Sequence, residues 1–338
     1  MKLFENYSLK NYNTFHIDVT TKKFVELLSI DSASSYFASN NDPSENILLI
    51  GSGSNILLTQ NYEGTVIHPN ITGIKVIHKT DDFVLVESGA GVVWDDLVTF
   101  AIENNYGGIE NLTSIPGTVG AAPVQNIGAY GVELKDIFHS LNAIEIATGE
   151  RRKFNLEECE FGYRDSVFKN ELKGKYVITK IVLRLSINPE LNIDYQAVKE
   201  KINERDSENL SIKDVREIIA EIRNNKLPDP QKYGNAGSFF KNPVVVSDKL
   251  EELQQSYGDV PHFVVDYNHF KLPAAWLIEK AGLKGKRIGN VGTHVNQPLV
   301  IINYGGASGN EILEFSKFIQ KEVKNKFAIH IMPEVNII

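Results

Sequence analysis

Residues 115–131 read IPGTVGAAPVQNIGAYG, and this stretch constrains the fold more than any other part of the chain. It holds four glycines, three alanines and two prolines, a composition that suits neither a regular helix nor a well-packed strand. Such a run of small side chains lets a large, flat group pack directly against the backbone. The alternative interpretation is a compact surface loop packed by its own residues.

A second glycine-rich segment, GSGSN at 51–55, follows the apolar run ILLI at 47–50. In a loop of small residues after a strand, backbone N–H groups can approach a phosphate closely. The segment is not the Rossmann fingerprint G-x-G-x-x-G, because Ile56 occupies the third glycine position. Taken alone it is typical of an ordinary tight turn. Two such loops in one chain favour a bulky dinucleotide bound outside the Rossmann fold.

Composition excludes several classes of protein. The 338 residues carry a formal net charge of −8 and are 42% hydrophobic, which predicts a globular chain of two or three domains. An acidic chain without a basic stripe is not expected to bind nucleic acid. The strongest apolar runs, 47–50 and 299–302, are far shorter than the roughly 20 residues of a membrane span. The polar N-terminal residues lack a signal peptide pattern, which favours a cytoplasmic protein.

Cysteine and histidine usage argues against thiol and metal chemistry. Cys159 is the single cysteine, so no intrachain disulfide is expected, and its acidic neighbours should raise its pKa and keep it non-catalytic. The eight histidines show no spacing typical of metal ligands, so we predict no metal site.

Periodicity predicts short strands mixed with a few helices, hence an α+β fold. Apolar residues recur at helical spacing after Trp94, and Ser211 is a predicted helix start. Ser247 is a predicted helix cap, and Ser308 with Glu311 forms a capping-box pattern. Residues 176–185 alternate as a half-buried strand, and the prolines in 226–230 indicate a domain junction.

Five motifs together resemble the UDP-N-acetylenolpyruvoylglucosamine reductases, flavoenzymes that complete UDP-N-acetylmuramate in peptidoglycan synthesis. They occur in the order found in that family and span residues 51–335. The motifs are GSGSN, the 115–131 segment, FGYRDSVFK at 161–169, GNAGSFFKNP at 234–243 and MPEV at 332–335.

The resemblance implies an FAD-binding fold of the vanillyl-alcohol-oxidase type. It assigns 1–70, completed by 330–338, to a first FAD-binding subdomain and 71–205 to a second. A linker helix at 206–226 and a substrate-binding domain at 227–329 would follow. We expect a monomer with NADPH as co-substrate. FAD should be bound non-covalently, because no histidine lies in the flavin motifs. The implied FAD-binding residues are Gly51, Ser52, Gly53, Ser54, Asn55, Ile115, Pro116, Gly117, Gly120, Ala121, Ala122, Gly128 and Arg223.

The resemblance also implies three catalytic residues. Arg164 would hold the substrate carboxylate, Ser238 would donate a proton, and Glu334 would help Arg164 to polarise the substrate. Each has an ordinary alternative: a salt bridge from Arg164 to Asp165, a turn serine at 238, and a glutamate at 334 that faces water.

Residues implied to bind the nucleotide sugar are less specific. Tyr195 matches the gating tyrosine of the subclass with a tyrosine loop, and Phe263 departs from a tyrosine in related sequences. The implied substrate-binding residues are Tyr130, Tyr195, Lys226, Asn242 and Gln297. Two other functions stay open at this stage: another flavin oxidoreductase or oxidase of the same superfamily, and a non-catalytic nucleotide-sugar-binding protein.

Overall fold

The computed structural model describes residues 1–40, 42, 45–205 and 210–338. The strands are β1 (Lys2–Ser8), β2 (Thr20–Leu27), β3 (Ile47–Leu49), β4 (Ile56–Leu57), β5 (Tyr62–Pro69), β6 (Ile74–Lys79), β7 (Phe83–Gly89), β8 (Gly128–Ala129), β9 (Val132–Glu133), β10 (Phe138–Glu145), β11 (Arg151–Phe154), β12 (Tyr176–Ser186), β13 (Val244–Val246), β14 (Phe263–Val264), β15 (His269–Lys271), β16 (Arg287–Ile288), β17 (Val291–Thr293), β18 (Ile301–Asn303) and β19 (Asn336–Ile337). The helices are α1 (Ile30–Ser39), α2 (Trp94–Glu103), α3 (Leu134–Ile137), α4 (Gln196–Arg205), α5 (Ile212–Lys226), α6 (Ser247–Tyr257), α7 (Ala274–Lys280) and α8 (Gly309–Phe327).

The chain divides into two compact units. Unit 1 comprises 1–7, 21–52 and 62–225, and unit 2 comprises 8–20, 53–61 and 226–338. No helix within the described ranges is long and apolar enough to cross a membrane.

The described part of unit 1 contains two larger sheets and the two-stranded pair β8-β9. The first has the strand order β1-β2-β5-β3, and β5 pairs in parallel with both β2 and β3. The second is antiparallel, with the order β11-β10-β12-β7-β6. Strand β12 lies at its centre, and its alternating Val177, Ile181, Leu183 and Leu185 are fully buried, which confirms the predicted strand.

Helix α2 closes the main core of unit 1. Trp94, Leu97, Val98 and Ala101 are all buried on the predicted apolar stripe. The Trp94 indole nitrogen donates a hydrogen bond to the Leu112 carbonyl at 2.9 Å, so this large side chain is buried without an unpaired N–H. Burial of each such apolar side chain contributes about 1.5–3 kcal/mol.

Unit 2 contains two three-stranded sheets, β13-β15-β14 and β16-β17-β18, and a parallel pair formed by β19 and β4. Helix α8 starts with the predicted capping box. The Ser308 hydroxyl accepts from the Glu311 N–H at 3.3 Å, and the Glu311 carboxylate accepts from the Ser308 N–H at 2.8 Å. Two of the four N–H groups that lack an intrahelical partner at this helix start are thereby satisfied.

The predicted domain boundaries lie at different distances from the division between the two units. The 70/71 boundary falls between β5 and β6, which belong to different sheets of unit 1. The 226/227 boundary lies within one residue of the division between the units. Residues 330–338, which the prediction joined to the first subdomain, lie in unit 2, where β19 pairs with β4. Residues 206–209 of the predicted linker lie outside the described residues.

Candidate active site

The 115–131 segment is tied by its backbone to the loop before α2. The N–H of Gly120 donates to the Ala90 carbonyl, and the N–H of Val119 donates to the Val92 carbonyl, both at 2.8 Å. A Cβ atom at position 120 would lie 2.6 Å from the Ala90 side chain, so only glycine allows this approach. The segment then forms a 3₁₀ helix, Val119–Gln125, in which Ala122 is buried and Ala121 is exposed.

Two buried polar atoms of unit 1 fit an anionic cofactor at the predicted FAD site. The Ser52 hydroxyl and the Arg223 Nε are buried, and neither has a hydrogen-bond partner among the residues that the structure describes. Such orphaned groups are costly unless a ligand satisfies them. Next to Ser52, a Cβ atom on Gly51 would lie 2.6 Å from the Thr118 hydroxyl, so the two glycine-rich segments pack closely here. The residues present therefore fit a phosphate-bearing dinucleotide.

The rest of GSGSN belongs to unit 2. Gly53 has a φ of +66°, and a Cβ atom there would lie 2.0 Å from the Tyr12 carbonyl. The Gly53 carbonyl also accepts from the Thr14 N–H at 3.2 Å. The Asn55 carbonyl accepts from the Asn336 backbone N–H at 3.1 Å, which joins the end of this loop to β19. A glycine at 53 is therefore required by both its backbone angle and its neighbours.

Tyr130 occupies the turn of the hairpin formed by β8 and β9. Tyr130 and Gly131 have φ angles of +49° and +85°, as a two-residue turn with both central residues left-handed requires. Burial raises the pKa of the Tyr130 phenol, and the neighbouring Arg223 cation opposes that rise. The ring of Tyr195 meets the Tyr130 ring edge to face at 5.2 Å. These predicted cofactor and substrate residues are therefore neighbours within unit 1.

Arg164 lies in a second tight hairpin that contacts the same segment. Its guanidinium Nη2 donates to the Gly128 carbonyl at 2.8 Å. Burial is the main cause that lowers the pKa of Arg223. The Arg164 guanidinium is close enough for its like charge to lower that pKa further. The Asp165 carboxylate accepts from the Asn170 amide at 3.0 and 3.1 Å. Two guanidinium groups near Tyr130 make this part of unit 1 suitable for an anion.

Ser238 and Glu334 are brought together within unit 2. Residue 238 forms a bridge with Val300, and the Phe239 carbonyl accepts from the Glu334 N–H at 2.8 Å. Phe239 and Phe240 are fully buried, whereas Ser238 and Glu334 are partly exposed. Gly237, with a φ of +69°, makes the preceding turn. The segments that carry Ser238 and Glu334 therefore run side by side, next to two buried aromatic rings.

The remaining predicted substrate residues in unit 2 occupy different settings. Gln297 is buried, and its backbone carbonyl accepts from the Val300 N–H at 3.0 Å, so it lies near the Ser238 bridge. The Asn242 side-chain oxygen accepts from the Ala274 N–H at 2.9 Å and so caps α7. Lys226, at the end of α5, is exposed, and Phe263 on β14 is 52% exposed.

Three polar residues with prominent contacts were not among the predicted site residues. Asn126 is fully buried with a φ of +43°, and its amide donates to the Gly162 carbonyl at 2.9 Å. Asn111 is buried and contacts two loops, and the Lys169 ammonium donates to the Arg164 carbonyl at 2.9 Å. Asn126 and Lys169 lie inside the quoted motifs, which was the available signal. Nothing in the sequence distinguished Asn111.

Thiol and metal chemistry find no support in the described part of the chain. Burial, with a smaller contribution from Glu158, raises the pKa of the Cys159 thiol to about 12. The acidic neighbourhood named from the sequence is therefore the lesser cause. Within the described ranges, no group of three or more His, Cys, Asp or Glu residues could hold a metal ion.

The chain matches two protein-family models. Residues 229–338 match the model described as UDP-N-acetylenolpyruvoylglucosamine reductase, C-terminal domain, and residues 22–155 match an FAD binding domain.

Individual relatives with the same family description match this chain over its full length. The UDP-N-acetylenolpyruvoylglucosamine reductase of Flavobacterium johnsoniae is 45% identical over 100% of both chains. That of Pseudomonas aeruginosa is 42% identical over 100% of this chain and 99% of the relative. The solved structure of the reductase from Thermus caldophilus superposes with a TM-score of 0.68 at 20% identity, covering 99% of this chain and 98% of that one. This last match shows a shared fold.

Proposed function

Because the chain belongs to the UDP-N-acetylenolpyruvoylglucosamine reductase family, we propose that it reduces UDP-N-acetylglucosamine enolpyruvate to UDP-N-acetylmuramate, with FAD as cofactor and NADPH as co-substrate. The reaction supplies a precursor of peptidoglycan. The family assignment confirms the predicted α+β fold and the predicted flavin cofactor.

FAD would be held by the two glycine-rich segments. When bound, it supplies the transfer of a hydride from NADPH to the terminal methylene carbon of the enol ether. The unpaired Ser52 hydroxyl and Arg223 Nε, together with the close packing of Gly51 on Thr118, support this placement of the cofactor's anionic part. No histidine lies in these segments, which supports non-covalent binding.

Arg164 would bind the substrate carboxylate. Hydride addition at the methylene carbon leaves negative charge on the adjacent carbon, and that charge delocalises into the carboxylate. A planar guanidinium can bind a carboxylate through two parallel hydrogen bonds and stabilise this charge. The fixed turn that carries Arg164 and its bond to Gly128 support a preorganised cation.

Ser238 would give its hydroxyl proton to the carbon that carries the developing charge, and Glu334 would assist Arg164 at the carboxylate. The observation that supports this assignment is the backbone hydrogen bond from the Glu334 N–H to the Phe239 carbonyl, because it joins the segment that carries Glu334 to the segment that carries Ser238. The buried Phe239 and Phe240 supply apolar surface on one side of this segment. Apolar surroundings lower the local dielectric and strengthen hydrogen bonds.

The nucleotide sugar would be bound by Tyr130, Tyr195, Lys226, Asn242 and Gln297. Tyr195 would gate the site as a loop residue, supported by its exposure of 41% and its ring contact with Tyr130. The Asn242 oxygen already caps α7, so its amide NH₂ would contact the substrate. At position 263 phenylalanine supplies an apolar ring and no hydroxyl bond.

A stoichiometric assay tests the proposed reaction. Purified protein is incubated with NADPH and the enolpyruvyl sugar nucleotide, with and without oxygen, and NADPH loss is compared with formation of UDP-N-acetylmuramate. We expect one product per NADPH in both atmospheres. NADPH loss that requires oxygen and yields peroxide would identify an oxidase. A colourless protein that releases no flavin on denaturation would identify a binding protein.

We also propose that the protein acts as a monomer in the cytoplasm and so contributes to cell shape and division through wall synthesis. Its substrates are a nucleotide-activated sugar and NADPH, which supports this compartment. Size-exclusion chromatography with light scattering and cell fractionation test the two statements. A dimer mass or a membrane-bound pool would contradict them.

A further inference from the structure

The hairpin that carries Arg164 holds a strained residue. The N–H of Gly162 donates to the Asp165 carbonyl at 3.0 Å, and the reverse bond measures 3.3 Å. Tyr163 and Arg164 therefore form a two-residue turn, in which Arg164 has a φ of +55°. A residue with a Cβ atom pays roughly 1–2 kcal/mol in this left-handed region. Contacts around the turn must keep Arg164 in that conformation.

Two side chains hold the carbonyl groups of this turn. The Asn126 amide donates to the Gly162 carbonyl at 2.9 Å, at the start of the turn. The Lys169 ammonium donates to the carbonyl of Arg164 itself, also at 2.9 Å. Each bond fixes the plane of one peptide group, so together they define the direction in which the arginine side chain leaves the backbone.

Both side chains are themselves fixed. The buried Asn126 amide also donates to the Glu133 carboxylate at 3.0 Å, and its oxygen accepts from the Lys135 N–H at 3.0 Å. Both of its N–H donors and one of the two acceptor positions on its oxygen are therefore used within the protein. Lys169 ends a 3₁₀ turn whose cap, Ser166, donates its hydroxyl to the Val124 carbonyl at 2.8 Å. The hairpin is thereby joined to the 115–131 segment.

We propose that Asn126 and Lys169 are positioning residues that act through Arg164 and set the orientation of its guanidinium toward the substrate carboxylate. This inference rests on the proposed function of Arg164. Both N–H donors of Asn126 are used within the protein, and Lys169 is bonded to the arginine's own carbonyl group. A catalytic cation must be held close to its productive geometry, and a displacement of about 1 Å can cost about 100-fold in rate.

The test uses Lys169→Met in the flavin-loaded enzyme, with the exposed Lys173→Met as matched control. We expect Lys169→Met to lower kcat for the enolpyruvyl substrate about 10- to 100-fold, while flavin reduction by NADPH stays within twofold of the unchanged protein. Calorimetry should show weaker binding of the product UDP-N-acetylmuramate. Lys169→Arg should restore most of the rate. Lys173→Met should match the unchanged protein in both measurements.

A double variant separates positioning from direct action. In an Arg164→Gln background, Lys169→Met should cause less than a twofold further loss, because its effect passes through the missing guanidinium. Multiplied losses would show that Lys169 acts on the substrate directly and would overturn the proposal. Full activity and product binding in Lys169→Met would also overturn it.

Two further measurements distinguish a failure of the positioning role from a failure of the proposed function of Arg164 and from a loss of folding. If Arg164→Gln alone leaves turnover unchanged, the proposed role of Arg164 fails, and with it the positioning role of both residues. Thermal unfolding reports whether each variant is folded. Should Lys169→Met unfold, Asn126→Ser provides the same comparison from the other end of the turn, with the same expected split between the two half-reactions.

Discussion

One buried asparagine side chain joins the Tyr130 turn to the segment that leads to Tyr195, and its removal should loosen the proposed substrate site. The Asn111 amide nitrogen donates to the Tyr130 carbonyl at 2.9 Å and to the Asn192 carbonyl at 2.8 Å. The side chain is 1% exposed. Asn192 lies three residues before Tyr195, so Asn111 fixes the start of the tyrosine segment against the Tyr130 turn.

The change Asn111→Leu keeps the size of the side chain and removes both donors. Each net hydrogen bond is worth about 1 kcal/mol, so the loss is about 2 kcal/mol if water reaches the freed carbonyls. Applied to the position of Tyr195, a free energy of about 2 kcal/mol corresponds to about a 30-fold change in an equilibrium constant. We therefore expect the KM for the enolpyruvyl substrate to rise up to about 30-fold, with a similar loss in the free energy of unfolding.

Steady-state kinetics and denaturant titration measure these two effects, and the rate of flavin reduction by NADPH serves as an internal reference that should not change. The control is Asn188→Leu, because Asn188 is exposed and makes only a long 3.5 Å bond to the Asp81 carbonyl. A fall in stability without a change in KM would refute the reasoning, since Asn111 would then support the fold without setting the position of Tyr195.

Three further predictions address chemistry, pH and backbone geometry. Ser238→Ala should slow the reaction of the reduced enzyme with the enolpyruvyl substrate by about 10²–10⁴-fold and leave its reduction by NADPH intact, as followed by stopped-flow absorbance; equal damage to both steps would assign the serine to folding. Burial raises the pKa of Glu110 above its ordinary value of 4.5, so the folded chain binds that proton more tightly and the free energy of unfolding falls as pH rises from 4.5 through the raised pKa. Glu110→Gln should remove this part of the pH dependence in denaturant titrations, whereas the exposed Glu103→Gln should keep it; identical profiles would contradict the assignment. Gly53→Ala should cost more than about 2 kcal/mol, because it adds a clash with Tyr12 to an unfavourable φ, whereas Gly174→Ala, with a φ of +72° and open space, should cost only about 1 kcal/mol; equal losses in thermal or chemical unfolding would be inconsistent with the clash.

Local elements were predictable because their signals are local. The apolar stripe after Trp94 and the capping box of Ser308 depend on neighbours within one helix turn, and both are present in the structure. Ser247 shows the limit of this reasoning. It is the first residue of α6 and not its cap, because its hydroxyl hydrogen-bonds the side chain of Asn268, far along the chain.

Contacts between distant segments were not predictable from composition or periodicity. The pairing of β19 with β4 and the bond from Glu334 to Phe239 depend on tertiary packing that no local pattern encodes. The site residues were predicted from ordered motifs. Those motifs identify the side chains proposed to react or bind, but not the residues that hold them in position. Asn126 and Asn111 donate hydrogen bonds to backbone carbonyls of other loops, and such partners are visible only in the structure.

We infer that Arg164, Ser238 and Glu334 act on one bound substrate. A crystal structure of the flavin-loaded protein with UDP-N-acetylmuramate tests it most directly. We expect the product carboxylate to accept hydrogen bonds from the Arg164 guanidinium, with the Glu334 side chain beside that guanidinium and the Ser238 hydroxyl about 3 Å from the carbon next to the carboxylate. The inference would be contradicted by a carboxylate bound away from Arg164. It would equally be contradicted by a Ser238 hydroxyl too far from that carbon to deliver a proton.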